Sequence, residues 1–180
     1  MTTAERVFVS LGSNLGDREA HFALALQRLA ALPDTRIEAL SPVFETDPVG
    51  PPPQGPFLNA VVELRTGIAP RALLEALLDI ERAAGRTRQA TRWLARPLDL
   101  DLLLYGERVI DEPHLCVPHP RLDERPFVLE PLSALAPALR HPVHGARVDE
   151  LAARVRDPLA VRPWPGELRG SRKTSPSGLE

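Results

Sequence analysis

Asp99 and Asp101 stand two residues apart in the run Arg96-Pro97-Leu98-Asp99-Leu100-Asp101-Leu102-Leu103-Leu104-Tyr105. Alternating leucine and aspartate is a strand pattern, in which residues two apart share a face and lie roughly 6–7 Å from one another. Leu98, Leu100 and Leu102 then turn into a core, and both carboxylates turn the other way. Carboxylates at that spacing suit one or two Mg²⁺ ions, which complete their octahedra with water and substrate phosphates instead of a full protein cage. The same alternation describes an edge strand with a solvated acidic face, so the neighbouring residues decide between the two.

Upstream, Gly85 to Arg96 carries Arg86, Arg88, Arg92, Arg96 and Trp93, with no acidic residue and no helical apolar period. It reads as a mobile basic loop. Guanidinium forks match phosphate oxygens and stabilise charge that builds during phosphoryl transfer. Arginines beside an aromatic also suit single-stranded nucleic acid, but adjacent aspartates repel a phosphodiester backbone. The combination favours metal plus polyphosphate.

The whole chain sets bounds on this chemistry. Its 180 residues fit one domain with a full core, and a formal net charge of -2 lacks the basic excess of a nucleic-acid or membrane-surface binder. Phosphate-binding charge must therefore be local. A sole cysteine, Cys116, excludes an intrachain disulfide and a cysteine zinc cage, and no secretory or membrane-length apolar run appears. The expectation is a cytoplasmic, stand-alone protein with no nucleic-acid or membrane partner; a monomer is compatible with the sequence, which does not fix the oligomeric state. Residues 1–165 form the expected domain, and 166–180 read as a disordered tail.

The elements that must position these residues follow from periodicity. Arg6–Leu11 is a strand; Gly12 to Asp17 turns the chain into a helix from Arg18 to Ala31, with Asp17 as N-cap and Phe22, Ala25, Leu26 and Leu29 on one face. Thr35–Thr46 reads as a strand, a proline-rich segment to Pro56 as a loop, and Phe57–Thr66 as the returning strand. Pro70 opens a second helix striped by Leu73, Leu77, Ile80 and Ala84 and closed by Gly85, and Leu98–Tyr105 is strand four. The order β-α-β-β-α-β is the split βαβ of an α+β, ferredoxin-like domain, an antiparallel sheet with helices on one face. Further helices are expected over Pro126–Leu135 and Val148–Arg154. Such folds host many activities, so function rests on the site.

Five segments, taken in order, carry a resemblance: Ser10-Leu11-Gly12-Ser13-Asn14; Phe57-Leu58-Asn59; the arginines and Trp93 between Arg86 and Arg96; Arg96 through Asp101; and Val117-Pro118-His119-Pro120-Arg121-Leu122-Asp123-Glu124-Arg125-Pro126-Phe127. Together, over roughly Val7 to Leu139, they closely resemble the 6-hydroxymethyl-7,8-dihydropterin pyrophosphokinase family. The resemblance implies transfer of the terminal pyrophosphoryl unit of ATP to the primary hydroxyl of a reduced pterin, releasing AMP, in folate biosynthesis. It implies two Mg²⁺ ions on Asp99 and Asp101, and catalytic roles for Arg86 and Arg96. Arg88, Arg92, His119 and Arg125 correspond to contacts with ATP, as do Leu74, Glu81, Leu102 and Cys116 on its nucleoside side. Trp93 matches the tryptophan that closes over both substrates.

For the pterin, the resemblance assigns Phe57 and Phe127 to a sandwich of the flat ring, Asn59 to its polar edge, Thr46 to a hydroxyl contact, and Pro48 and Val49 to the wall. The chemistry agrees, because aromatic faces stack on a flat heterocycle and a carboxamide both donates and accepts. The chain departs from the family pattern at Gln89, where some members have lysine, at Leu78, where a glutamine occurs, and at Pro120, where a tyrosine can follow the histidine. All three bear on the ATP side. A metal-dependent phosphotransferase with another acceptor and a non-catalytic nucleotide- or RNA-binding module are the other readings of the same residues.

Overall fold

The computed structural model describes residues 4–48, 54–85, 95–157, 160–166 and 168. Its elements are β1 (Glu5–Ser13), α1 (Arg18–Ala30), β2 (Thr35–Leu40), β3 (Phe44–Thr46), β4 (Phe57–Thr66), α2 (Pro70–Ala83), β5 (Asp99–Tyr105), β6 (Ile110–Glu112), β7 (Leu115–Val117), α3 (Pro126–Leu135), α4 (Val148–Val155) and β8 (Val161–Pro163). The Asp17 carboxylate accepts from the Ala20 amide and so caps α1, while Phe22, Ala25 and Leu29 bury one face of that helix. Pro70 starts α2 where its missing N–H costs nothing, and Gly85 follows the helix at φ 88°, a left-handed turn that glycine adopts without strain.

The main sheet is antiparallel, in the order β5-β1-β4-β3-β8, with β2 also pairing along β4. The split βαβ expected from the sequence is its frame. The expected single strand Thr35–Thr46 is instead two strands, because Pro42 has no N–H to give the ladder. The break is stitched by Ser41, whose hydroxyl accepts from the Val61 amide and donates to the Pro42 carbonyl.

Helices cover both faces of the sheet, not one. Val7, Val9, Leu11, Val62 and Leu64 pack with α1 and α2, whereas Phe8, Val61, Leu103 and Leu104 pack with α3 and α4. The sequence carries the reason: β4 is buried at successive residues from Leu58 to Val62, a run that alternation on a one-sided sheet would not need. Leu168 is buried in the α1/α2-side core, so the folded chain reaches past residue 165. The tail expected beyond it lies, from residue 169, outside the described residues.

A bulge in β5 sets the site. Phe8 pairs with Leu104 and Val9 with Leu102, which leaves Leu103 as the extra residue. Its carbonyl accepts from the His119 amide at 2.9 Å and docks the His119–Arg125 segment beside the strand. Before the bulge, Leu98, Leu100 and Leu102 face the α1/α2 core and are buried, as the alternation predicts.

Candidate functional site

Asp99 and Asp101 therefore emerge on the α3 side, at the end of the sheet where β1, β4 and β3 also terminate. A cavity of about 260 Å³ opens there. Its strand-borne lining comes from Ser10, Leu11 and Gly12 of β1, Thr46 of β3, Phe57 and Asn59 of β4, and the two aspartates. Phe127 and Val128 of α3 close it from the other side; Asp47, Gln54, Arg96, Arg121 and Arg125 complete it. Sheet register explains the assembly, since Gly12 pairs with Asn59 on one side and Asp99 on the other, and Ser10 pairs with Asp101. A Cβ on Gly12 would sit 3.5 Å from Asn59 Oδ1 and 3.9 Å from both the Phe57 ring and the Asp99 Cβ. The missing side chain is floor space between the aromatic and acidic halves.

In the acidic half each carboxylate has an arginine. Arg96 donates to Asp99 at 3.0 Å and Arg125 donates to Asp101 at 3.0 Å. His119 places Nε2 3.9 Å from Asp101 Oδ2, while its Nδ1 accepts from the Arg121 amide at 3.1 Å. That bond puts the proton of a neutral ring on Nε2, facing the cavity cluster. Burial pushes the imidazole below its ordinary pKa, the Asp101 carboxylate opposes this, and Arg125 and Arg121 reinforce it. His119 is thus a neutral donor near pH 7.

Arg96, Arg121 and Arg125 stand against Asp47, Asp99 and Asp101 around the cavity, three charges of each sign. Among the described residues the lining therefore carries no excess positive charge to offset an anionic polyphosphate. The donors fit Mg²⁺: hard carboxylate oxygens on one strand face, with no group of three or more His, Cys, Asp or Glu among the described residues that would supply a fuller cage. Asp99 and Asp101 would hold it.

In the aromatic half, Asn59 donates to the Thr46 hydroxyl at 2.8 Å, which fixes its amide and leaves Oδ1 beside Gly12. Both residues are buried. The two halves are joined at the rim by Asn14. Its side chain accepts from the Arg96 amide at 2.7 Å and donates to Gln54 Oε1 at 3.0 Å and to the Gly55 carbonyl at 3.3 Å. Sequence reasoning quoted Ser10, Gly12 and Asn14 only as parts of a motif and did not single out Gln54; partners 40 to 82 positions away leave no local signal.

The cavity thus gathers Thr46, Phe57, Asn59, Arg96, Asp99, Asp101, Arg125 and Phe127 from the expected set, with His119 at its edge. Leu74, Glu81, Leu102 and Cys116 do not line it. Leu102 is buried in the core, and half-buried Leu74 packs against that core from α2. Cys116 on β7 donates to Asp111 at 3.6 Å, and desolvation together with that carboxylate pushes the thiol above its ordinary pKa, away from nucleophilic use. Glu81 is buried and accepts the Leu100 amide at 2.7 Å, propping the strand between the two aspartates. Pro48 is half-buried just past β3. Val49, Arg86, Arg88, Arg92 and Trp93 lie outside the described residues, as does Gln89.

Fold and cavity define a class, a ferredoxin-like domain with a pocket at one end of its sheet where an aromatic half meets a carboxylate and arginine cluster. Comparison with known proteins makes it specific. The family model described as 7,8-dihydro-6-hydroxymethylpterin-pyrophosphokinase (HPPK) matches residues 8–137, and the chain belongs to that family. A 2-amino-4-hydroxy-6-hydroxymethyldihydropteridine pyrophosphokinase of Pseudomonas aeruginosa is 48% identical over 149 residues, covering 83% of this chain and 91% of the relative. One of Bacillus subtilis is 40% identical over 148 residues, covering 82% and 88%. Among solved structures, a Plasmodium falciparum HPPK-DHPS matches with a TM-score of 0.68 at 14% identity, a likeness of fold; it covers 86% of this chain, which spans only 46% of that one.

Proposed function

We propose that this chain transfers the pyrophosphoryl unit of ATP to the hydroxymethyl oxygen of 6-hydroxymethyl-7,8-dihydropterin, releasing AMP, with two Mg²⁺ ions at Asp99 and Asp101. The observation that carries the reading is the single cavity in which an amide-edged aromatic slot adjoins a carboxylate and arginine cluster. The slot takes the flat ring between Phe57 and Phe127, with Asn59 along its polar edge. On this reading the exocyclic hydroxymethyl group faces the cluster, where in-line attack requires the β-phosphorus to lie.

Positioning and charge neutralisation dominate such transfers. Arg96 and Arg125 are poised to exchange their aspartates for phosphate oxygens, and His119 adds a hydrogen bond without a full charge. Mg²⁺, when bound, neutralises the polyphosphate and eases loss of the hydroxyl proton. Arg86, Arg88 and Arg92, which lie outside the described residues with Trp93, add guanidinium charge for the polyphosphate on this reading, in keeping with a segment rich in arginine but free of acid. On this reading the protein acts on small molecules. No helix of the described residues is long and apolar enough to cross a membrane.

The test is AMP release from ATP and Mg²⁺ with and without the reduced pterin. AMP is expected only when the pterin is present. ADP as the nucleotide product, or AMP released at the same rate without pterin, would contradict the assignment.

A further inference from the structure

The pterin side of the cavity is braced by a piece of chain outside the matched segment 8–137. β8 pairs antiparallel with β3, Val161 opposite Thr46, Arg162 opposite Glu45 and Pro163 opposite Phe44. The pairing runs on at both ends, as the Asp47 amide donates to the Ala160 carbonyl at 3.3 Å and the Trp164 amide to the Val43 carbonyl at 2.9 Å. Arg162 then grips the Asp47 carboxylate with two nitrogens, at 2.8 and 3.1 Å. Val161 is buried, β8 also packs against α3, and Trp164 and Leu168 anchor the segment on the core.

β3 is only three residues long and is held on its inner side by β4. Its outer edge is closed by β8, and its last residue is Thr46, which fixes the Asn59 amide. Asp47, the next residue, lines the cavity. β8 therefore touches both β3, whose Thr46 holds the polar edge of the slot, and α3, the helix that carries Phe127.

Resting on the reaction proposed above, we propose that β8 is a positioning strap for the pterin half of the site. It fixes β3 against α3, so holding Thr46 and the Asn59 amide at the polar edge of the slot in place relative to Phe127, and Arg162 is the positioning residue that locks the end of β3 through Asp47. Arg162 and Asp47 are 41% and 61% exposed, and an ion pair in water contributes little to global stability. Loss of the pair should therefore appear locally, in pterin binding, and not in melting.

The experiment uses the full chain with Arg162→Ala, Arg162→Lys and Val161→Ala. For each variant the dissociation constant is measured for a non-hydrolysable ATP analogue with Mg²⁺, and then for the reduced pterin in its presence. Arg162→Ala and Val161→Ala are expected to weaken the pterin by about five- to tenfold and to leave the nucleotide within about twofold, with Arg162→Lys recovering most of the loss. An unchanged pterin constant, or equal weakening of both ligands, overturns the strap. If the unmodified chain binds the nucleotide but no pterin, the proposed reaction itself fails and takes the strap with it.

Discussion

Asp99 and Asp101 each accept from a guanidinium, so a cation would compete with arginine for the carboxylates, and a phosphate with the carboxylates for arginine. Replacing Arg96 with alanine should lower turnover by about 10²-fold or more while pterin affinity stays near its original value, because a charge clamp matters most as charge develops. Steady-state kinetics beside direct pterin binding separates the two; a purely binding defect would move Arg96 from catalysis to recognition. Gly12→Ala probes the floor. Its methyl would meet neighbours at ordinary contact distances of 3.5–3.9 Å, so the fold should tolerate it, but the space beside Asn59 and Phe57 would be filled. The melting temperature is expected to hold while pterin affinity falls at least about tenfold. Asp99 and Asp101 were legible from residue type and spacing and His119 only through the family resemblance, whereas the parts played by Gly12 and Asn14 depend on chain segments met only in the fold.

At the scale of elements, the helices and strands that frame the site follow from local chemistry. Asp17 caps α1 as its position predicts, and α3 spans the expected Pro126–Leu135. Two features were hidden. The β2/β3 break needs Pro42 to be read as an interruption of a run that otherwise looks like one strand, and β8 is three residues in a proline-rich tail whose strand character comes from pairing with β3. Glu81 shows how an element supports chemistry it does not touch, since the α2 carboxylate takes the outward amide of edge strand β5 between the metal-binding candidates. Glu81→Ala leaves that buried amide without this acceptor and should cost about 1–3 kcal/mol of stability. Urea unfolding checks this; a loss under about 0.5 kcal/mol would mean that the prop is dispensable.

Over the whole molecule, a split βαβ frame covered on both faces brings residues from four strands and α3 to one end of the sheet. The far-face cover brings its own pH signature, in the loop between α3 and α4. Buried His141 stacks on His144 with ring centroids 4.0 Å apart, and burial, then the His144 charge, push His141 below its ordinary 6.5, with Asp123 opposing. Between that lowered value and 6.5 the unfolded chain binds the proton and the folded chain does not. Stability contributed by this group is therefore present above 6.5 and lost as pH falls through the folded value. Urea midpoints at about pH 7.5 and about pH 5.5 should fall with acid, and less so in His141→Gln; equal slopes would exclude the histidine as the cause. The central claim is that one cavity joins a metal-binding carboxylate pair to a pterin slot, and its most direct test is pterin-dependent AMP release across a Mg²⁺ titration in the unmodified chain, Asp99→Asn and Asp101→Asn. The account expects turnover to drop at least about 10³-fold in either variant while pterin binding without Mg²⁺ is unaltered. Near-normal turnover with the original Mg²⁺ dependence in either variant would contradict it.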